Sequence, residues 1–465
     1  MSLHLVVLSV YSLGLMALGL WFGRRVRGAS DFFVAGRQLG PGLIFSTLLA
    51  ANIGAGSTVG ATAQGYLDGV AAWWWVGSAA IGSSALALWI GPAIRRVSAR
   101  HDLRTVGDYL EFRYDRRVRA VVSILLWIGS IFILASQLIG IGAILEAVAG
   151  MPSAIGCAIG GLVITVYFMA GGLLTSARVN VVQLTVKLAG FAVAVPLALS
   201  AAGGWTGLRH VHADAADYWT FWRPNVALGF FFSFAPAFIV SPGLLQKIFG
   251  ARDDAAVRVG VGLNALGLFL YAGAPVALGI AARALFPSLA DSQLALPLIL
   301  LRAVPPLVGA LGLAAVFSAE ISAADAVLLM LTTSLSQDLY KRFLAPDASD
   351  ARILRVARLA TVASGVLGVA LAVTAASIVE VLKIFYTLLT VSLFVPIVGG
   401  LYLPRTTTRD ALVSIAAGVS GMLVIQAAQA ATSGSGWGIM TPALGGLMLA
   451  VAGWTCSYLS PQRSV

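Results

Sequence analysis

Long apolar stretches follow one another along the whole chain, separated by short polar connections. Each stretch is about 20 residues or longer, which is enough for a helix to cross the hydrocarbon core of a bilayer. Within a stretch the apolar positions are continuous rather than alternating, so the pattern predicts helices and not the strands of a β-barrel. About thirteen spans are predicted, at residues 3–22, 41–62, 70–94, 119–149, 153–172, 180–202, 226–246, 258–282, 297–338, 355–377, 380–403, 411–431 and 437–459. The predicted fold class is therefore all-α integral membrane protein.

The composition leads to the same conclusion. Hydrophobic residues make up 59% of the 465 residues and charged residues only 11%, whereas a soluble domain carries roughly 25% charged residues. A soluble globule could not hide this much apolar surface, so the lipid bilayer is the expected partner of most of the chain. The first span has no basic residue before it and no small-residue cleavage site after it, and it is expected to be a helix rather than a signal peptide.

The net charge of +11 is distributed unevenly between the connections. Most basic residues lie in alternate connections, at 24–37, 95–119, 247–258, 341–358 and 405–409. The positive-inside rule then places the amino terminus outside and the carboxyl terminus inside a multi-pass protein of the cell's inner (plasma) membrane. Membrane topology accounts for the charge, so no nucleic-acid partner is expected.

The residue types that carry enzyme chemistry are sparse. The two cysteines, Cys157 and Cys456, fall inside predicted helices, and the four histidines lie near or beyond the ends of spans. No metal-ligand spacing, nucleotide-binding loop or catalytic triad is visible. We therefore expect no enzymatic activity and no organic cofactor. A transporter-like sensor stays open as an alternative, although without an output domain it would need a separate partner.

Two of the spans are interrupted at their middle. The span at 41–62 contains glycines, an asparagine and hydroxyl groups at residues 52–58, and the span at 226–246 contains Pro236 and the Ser-Pro-Gly run at 241–243. Glycine and proline are common in membrane helices, so one such span alone would mean little. The second is the fifth span after the first, which gives the two opposite orientations. Paired interrupted helices in inverted halves predict the binding site of a transporter.

Short motifs in a fixed order add a family resemblance. They are Asp31-Phe32-Phe33-Val34-Ala35-Gly36-Arg37, Ala50-Ala51-Asn52-Ile53, Gly171-Gly172-Leu173, Val181-Val182-Gln183, Gln246-Lys247 and Asp338-Leu339-Tyr340-Lys341. In this order and spacing the chain resembles the sodium:solute symporter family, whose members include sugar, proline, pantothenate, sialic acid and monocarboxylate transporters. The resemblance implies a LeuT-like fold, in which ten core helices form two inverted five-helix repeats.

The resemblance also implies the organisation and activity of the chain. Residues 1–465 would form one transmembrane transporter domain, with a leading helix and inside loop at 1–40, repeats at 41–202 and 226–403, and two trailing helices at 404–465. The expected function is sodium-coupled symport of a small organic solute by alternating access, with Na⁺ as the coupling ion. A proton-coupled symporter of the same fold is the alternative, and the oligomeric state stays open.

The family binds sodium where the first interrupted helix meets the eighth core helix. By motif, the main-chain carbonyls of Ala50, Ile53 and Ala319 and the hydroxyl of Ser322 would be the ligands. A hard cation prefers oxygen ligands, and an unwound helix exposes carbonyl groups. Ala319 and Ser322 are three residues apart and share one helix face. The resemblance therefore implies a sodium site at these four residues.

The chain departs from the family pattern around this site. Ala323 stands where a second hydroxyl is usual, and Asn180 stands where an aspartate is common. Two carboxylates lie close by in sequence, Asp325 at three residues after Ser322 and Glu320 immediately after Ala319. Ionisable residues inside a membrane span are costly and indicate function. Asp325 and Asn180 are therefore added to the predicted ion-binding residues.

A lysine inside the sixth span adds a further possibility. Lys187 lies two turns after Asn180 and is close enough, in the implied fold, to pair with Glu320 or Asp325. Three interpretations are open: Asp325 completes a sodium site, a proton is carried by Lys187 or a carboxylate, or Lys187 and an acid form a structural ion pair. Buried lysines are able to lose their charge near neutral pH, which keeps the proton interpretation open.

The solute is expected at the middle of the membrane, between the two interrupted helices. The candidate residues are Asn52, Ser57, Gln64, Trp74, Gly77, Phe234 and Ser241. In sugar-transporting members amide and acid groups line this pocket, and the positions of Ser57, Trp74 and Gly77 lack them. The main-chain donors of Gly54, Gly56, Ser57 and Thr58 are expected to face an anionic group instead. An amino acid or small carboxylate is therefore favoured over a sugar, since desolvated sugar hydroxyls need partners.

Overall fold

The computed structural model describes residues 3–23, 37–169, 172–209, 211, 217–375, 377–432 and 438–460. Within these ranges the regular secondary structure is helical, apart from one isolated β-bridge between Leu39 and Ala251. Residues 31–36 of the first motif, most of the predicted inside loop before Arg37, and Gly171 lie outside the described residues. The all-α fold class predicted from the apolar stretches is confirmed.

In the part of the chain that the structure describes, nineteen helices carry the architecture, and we number them in chain order. They are α1 Leu3–Gly23, α2 Pro41–Asn52, α3 Ala61–Asp68, α4 Trp73–Ala85, α5 Gly91–Arg100, α6 Val106–Arg113, α7 Arg116–Ala149, α8 Ser153–Met169, α9 Gly172–Ala201, α10 Pro224–Val240, α11 Pro242–Phe249, α12 Asp254–Tyr271, α13 Gly273–Leu285, α14 Pro306–Thr333, α15 Asp350–Thr374, α16 Ile378–Leu389, α17 Val395–Tyr402, α18 Thr408–Ala431 and α19 Pro442–Leu459. π-helical segments at Gly56–Gly60, Leu86–Ile90, Ile299–Ala303, Ser334–Leu344 and Thr390–Phe394 continue or connect several of them. Two short helices, Gly204–Arg209 and Ala295–Leu298, lie in connections.

The number of long apolar helices agrees only in part with the number of predicted spans. In the described residues, ten helical segments are long and apolar enough to cross a membrane, and four shorter apolar helices accompany them. The predicted count of thirteen stays a prediction. One boundary was wrong: the span predicted at 297–338 is divided, because Pro305 and Pro306 lack amide donors and α14 begins at Pro306.

Both predicted interruptions are present. In the first broken helix, which comprises α2, residues 53–60 and α3, the helix ends at Asn52 and Ile53 is non-helical at φ −91° and ψ 89°. In the second broken helix, α10 and α11, the break is at Ser241, with φ −55° and ψ 123°. The ring of Pro242 disfavours a helical conformation at Ser241. Pro236, by contrast, lies inside α10 without ending it.

The helix α14 forms the centre of the molecule. It packs against α9, α7 and α2, and nearly every side chain from Gly309 to Thr333 is buried. The polar side chains of α14 therefore face protein rather than lipid. This packing brings Ala319, Glu320, Ser322 and Asp325 beside the break in the first broken helix.

Candidate functional site

A small cavity lies between the two broken helices. Its volume is about 70 Å³, and Asn52, Ser57, Phe234 and Ser241 of the predicted solute residues line it. Side chains from α14 and α16 close its remaining sides. Four of the seven candidate residues therefore lie together at one central cavity, the position expected for the solute of a transporter with two broken helices.

The other three candidates lie elsewhere, and we correct them here. The Trp74 indole donates a hydrogen bond to the Phe221 carbonyl at 3.2 Å and packs outside the cavity. A Cβ atom on Gly77 would lie 2.2 Å from the Trp73 ring, so Gly77 makes room for an indole and not for a solute. Gln64 lines a separate vestibule, described below. Positions on α4 were misassigned because motif matching does not show which helix face meets the cavity.

Aromatic rings that the sequence reasoning missed form much of the cavity wall. Trp75 lies 4.7 Å from Phe234 between ring centroids, and Tyr386 lies 4.7 Å from Phe234 and stacks on Phe238 at 5.4 Å. Of the tryptophan run at 73–75, only Trp75 lines the cavity. In a run of three identical residues, the sequence does not show which one is buried at a cavity.

A wider vestibule of about 580 Å³ adjoins the aromatic wall. Asp68, Glu380 and Lys383 line it together with Gln64 and Phe230. The Phe230 ring also packs 5.1 Å from the Trp75 ring, so the aromatic residues separate the vestibule from the central cavity. A charged vestibule beside a small cavity fits the entry route of a polar solute.

The unwound residues of the first broken helix are tied down by side chains. Ser57 Oγ accepts a hydrogen bond from the Gly54 amide at 3.0 Å, and Gln137 Oε1 accepts one from the Ala55 amide at 2.8 Å. Thr58 Oγ1 donates to Glu320 Oε1 at 2.9 Å. The expectation that these amides face an anionic solute is therefore wrong for Gly54, Ser57 and Thr58. The Gly54 amide donates to Ser57 Oγ, and the Ser57 and Thr58 amides donate to the Gly54 carbonyl at 3.0 Å and 2.9 Å.

The four predicted sodium ligands do converge, and a lysine occupies the space between them. Lys187 Nζ donates a hydrogen bond to the Ile53 carbonyl at 3.0 Å and also donates to the Ala50 carbonyl and Ser322 Oγ. Ser322 Oγ in turn donates to the Ala50 carbonyl at 2.7 Å and lies 3.1 Å from the Ala319 carbonyl. We call these four acceptor residues the oxygen cage. The Lys187 amino group, with 0% of the residue's surface exposed, contacts three of these four residues.

The other residues predicted for the ion site lie around the oxygen cage. Asn180 donates to Thr47 Oγ1 at 2.8 Å, one turn before Ala50 on α2. Glu320 and Asp325 are fully buried, and both carboxylates attract the Lys187 ammonium electrostatically. Asp325 also acts on a second lysine, Lys247. Two acidic side chains and two lysines are therefore buried together in this part of the membrane domain.

Lys247 is a functional candidate that the sequence reasoning did not select. It lies on α11, is 2% exposed and lines the central cavity. Its Nζ donates no hydrogen bond to any residue that the structure describes. The sequence signal was a lysine five residues after the Ser241-Pro242 break, within an apolar helix.

Comparison with known proteins decides the family. The model of the sodium:solute symporter family matches residues 32–418. The chain belongs to the sodium:solute symporter family. Relatives include the sodium/glucose cotransporter of Vibrio parahaemolyticus, 23% identical over 91% of this chain and 85% of the relative. The sodium/pantothenate symporter of Escherichia coli K12 is 26% identical over 67% of this chain and 66% of the relative.

Solved structures show the fold of this symporter. A Na⁺-coupled sialic acid symporter in a substrate-bound, outward-open state matches 98% of this chain and 97% of its own, with a TM-score of 0.80 at 20% identity. A nucleobase-cation-symport-1 family transporter with bromovinylhydantoin bound gives a TM-score of 0.61 at 16% identity. The predicted LeuT-like core of inverted repeats is confirmed, and the chain is a transporter rather than an enzyme.

The family is one of sodium-coupled symporters, which disfavours the proton-coupled alternative. The oxygen cage as folded, however, does not fit a sodium ion. Its acceptors already receive the three N–H donors of an ammonium group. A sodium ion there would lie against the positive charge of Lys187. We therefore derive no transport step from sodium in this cage.

Proposed function

We propose that this symporter carries a small organic solute with a negatively charged group, an amino acid or small carboxylate rather than a sugar. The solute binds in the central cavity and crosses by alternating access. The observation that carries the proposal is the Lys247 amino group at the cavity wall, buried and without a hydrogen-bond acceptor among the described residues.

The chemistry of a buried ammonium supports this solute class. An ammonium carries three hydrogen-bond donors, and removing it from water without acceptors costs free energy. Asp325 supplies a compensating charge but shares it with Lys187. A solute carboxylate in the cavity would accept hydrogen bonds from Lys247 in a region shielded from water, where such charge-assisted bonds are strong.

The size and polarity of the cavity support the same choice. Its 70 Å³ is about half the volume of an engineered apolar cavity that holds benzene, so a short carboxylate is closer to its size than a hexose. The polar groups of the wall are partly used within the protein: Asn52 Nδ2 donates to Asn264 Oδ1 at 3.0 Å, and Gln137 Oε1 accepts from Ala55. A polyol would leave several desolvated hydroxyls without partners.

The proposal includes the orientation predicted from the basic residues, with the amino terminus outside the plasma membrane. Asp68 then lies toward the outside, and the vestibule that it lines is the outward entrance to the central cavity. The aromatic residues between vestibule and cavity form the barrier that a solute would have to displace. Transport therefore requires movement of Phe230, Trp75 or Phe234 rather than opening of a new passage.

Replacing Lys247 by methionine tests the solute class. Methionine keeps an unbranched apolar chain but removes the charge, so stabilisation by an anionic solute should disappear. The measurement is the thermal unfolding of the detergent-purified protein with amino acids, short carboxylates and hexoses. For wild type, a ligand at about 100 times its Kd should raise stability by about 2.7 kcal/mol, and Lys247→Met should show no rise.

The matched control is Lys383→Met, which removes a lysine that lines the vestibule and does not line the central cavity. It should keep the wild-type response to the same solute. If Lys247→Met is stabilised as much as wild type, or if only hexoses stabilise the wild-type protein, the proposed solute class is wrong.

A further inference from the structure

The oxygen cage with the Lys187 side chain at its centre is not compatible with binding of Na⁺, the coupling ion of the family, at this position. The cage offers the carbonyls and hydroxyl that a sodium ion would use, yet the cation that they contact is part of the chain. We infer that the Lys187 ammonium is the resident cation of the oxygen cage, and that a sodium ion is excluded from the cage while the lysine is there.

The oxygen atoms of the cage need hydrogen-bond donors, and Lys187 provides them. The break after Asn52 frees the carbonyls of Ala50 and Ile53 from the helical ladder, and buried carbonyls need a partner. The Lys187 ammonium provides one for each and a third for Ser322 Oγ. The cage and the ammonium therefore satisfy each other, and the main-chain oxygens contributed by the break are already in use.

The position of Lys187 in the fold keeps its amino group at the cage. Its side chain is fully buried and starts from α9, which packs along α14. The ionisable groups around it are Glu320, Asp325 and Lys247. Tethering to α9 gives the ammonium a high effective concentration in the cage, which a free ion would have to match.

This arrangement determines how the first broken helix is connected to α14. A cation that binds the two freed carbonyls and Ser322 joins α2 to α14. In this protein a covalently attached cation makes that connection, so it is present at any external sodium concentration. Any effect of sodium on this protein would then arise outside the oxygen cage. The inference does not depend on which solute the central cavity binds.

The test measures sodium binding without solute, on the full-length protein in detergent. Radioactive ²²Na⁺ binding and thermal unfolding are measured in NaCl and in KCl at equal ionic strength. Wild type should show no sodium binding that depends on Ser322, so Ser322→Ala should leave ²²Na⁺ binding unchanged. Lys187→Ala vacates the cage and should gain ²²Na⁺ binding and a sodium-dependent rise in Tm. Adding Ser322→Ala to Lys187→Ala should weaken the gained binding by at least about tenfold.

Two results would overturn the inference. One is ²²Na⁺ binding by the wild-type protein that Ser322→Ala abolishes, because sodium would then enter the cage and displace the lysine. The other is a folded Lys187→Ala protein that ignores sodium, because the cage would then have no affinity of its own for a cation. If Lys187→Ala does not fold, the comparison of wild type with Ser322→Ala still decides the first point. Neither measurement involves the solute, so its outcome is separate from that of the proposed function.

Discussion

Replacing Arg119 by methionine is expected to destabilise the folded protein by about 3–5 kcal/mol, the usual cost of leaving a buried charge without its partner. The Arg119 guanidinium is 6% exposed and pairs with Asp338 at 2.7 Å, Asp108 at 2.9 Å and Glu111 at 3.0 Å. Without it, the buried Asp338 still accepts a hydrogen bond from the Thr105 hydroxyl, which carries no compensating charge. Thermal unfolding in one detergent, compared with wild type, measures the loss.

The charge state of Glu111 strengthens this expectation. Burial raises the pKa of the Glu111 carboxyl, but hydrogen bonds and charge from Arg342 and Arg119 outweigh it and hold the pKa below its usual range. The matched control is Arg117→Met, on the same helix with an exposed side chain. It should change stability by no more than about 0.5 kcal/mol. Similar losses for both variants would show that Arg119 does not stabilise this cluster by pairing with it.

Replacing Gly279 by alanine is expected to have an effect of similar size for a steric reason. A Cβ atom at Gly279 would lie 2.4 Å from the Thr62 carbonyl oxygen and 2.6 Å from the backbone of Gly65 and Tyr66. Backbone atoms have no other rotamer to adopt, so α13 must move away from α3. Overpacking typically costs about 1–3 kcal/mol, and we expect about 3 kcal/mol here because the contact is with main chain.

The displaced helix gives this variant a second readout. Since α3 belongs to the first broken helix, Gly279→Ala should also weaken solute stabilisation. The control is Gly262→Ala, in the interior of α12 with nothing within 4 Å of the added Cβ, which should be neutral or stabilising by up to about 1 kcal/mol. Equal unfolding temperatures for the two variants would contradict the close contact between α13 and α3.

The sequence predicts the helical architecture well, because continuous apolar stretches and proline or glycine breaks act locally. The family motifs also predicted that Ala50, Ile53, Ala319 and Ser322 lie together. The same motifs in the same order belong to one fold, and that fold packs these residues against each other. The sequence left the role of Lys187 open between three interpretations. The ammonium meets Ala50 across 137 positions in the chain, and only the packing of α9 on α2 and α14 determines which acceptors it reaches.

The errors at the solute site have a different physical origin. One residue along a helix is a rotation of about 100°, so Trp74 and Trp75 point in different directions although they are neighbours. Gly77 matches a pocket position by motif, but an indole from the same helix fills the space beside it. Lys247 was recognised as part of a motif, yet its burial at a cavity depends on α11 packing against α14, which no local pattern reveals.

Uptake by proteoliposomes tests the central claim, which is transport of a small anionic solute through the central cavity. Purified wild-type, Lys247→Met and Lys383→Met proteins are reconstituted, and accumulation of radiolabelled L-proline, L-alanine, acetate, lactate and glucose is followed under an inward sodium gradient. The account predicts that wild type and Lys383→Met concentrate one of the carboxylate-bearing solutes while Lys247→Met does not exceed protein-free liposomes. Solute-dependent stabilisation without any accumulation would contradict transport and favour a membrane sensor.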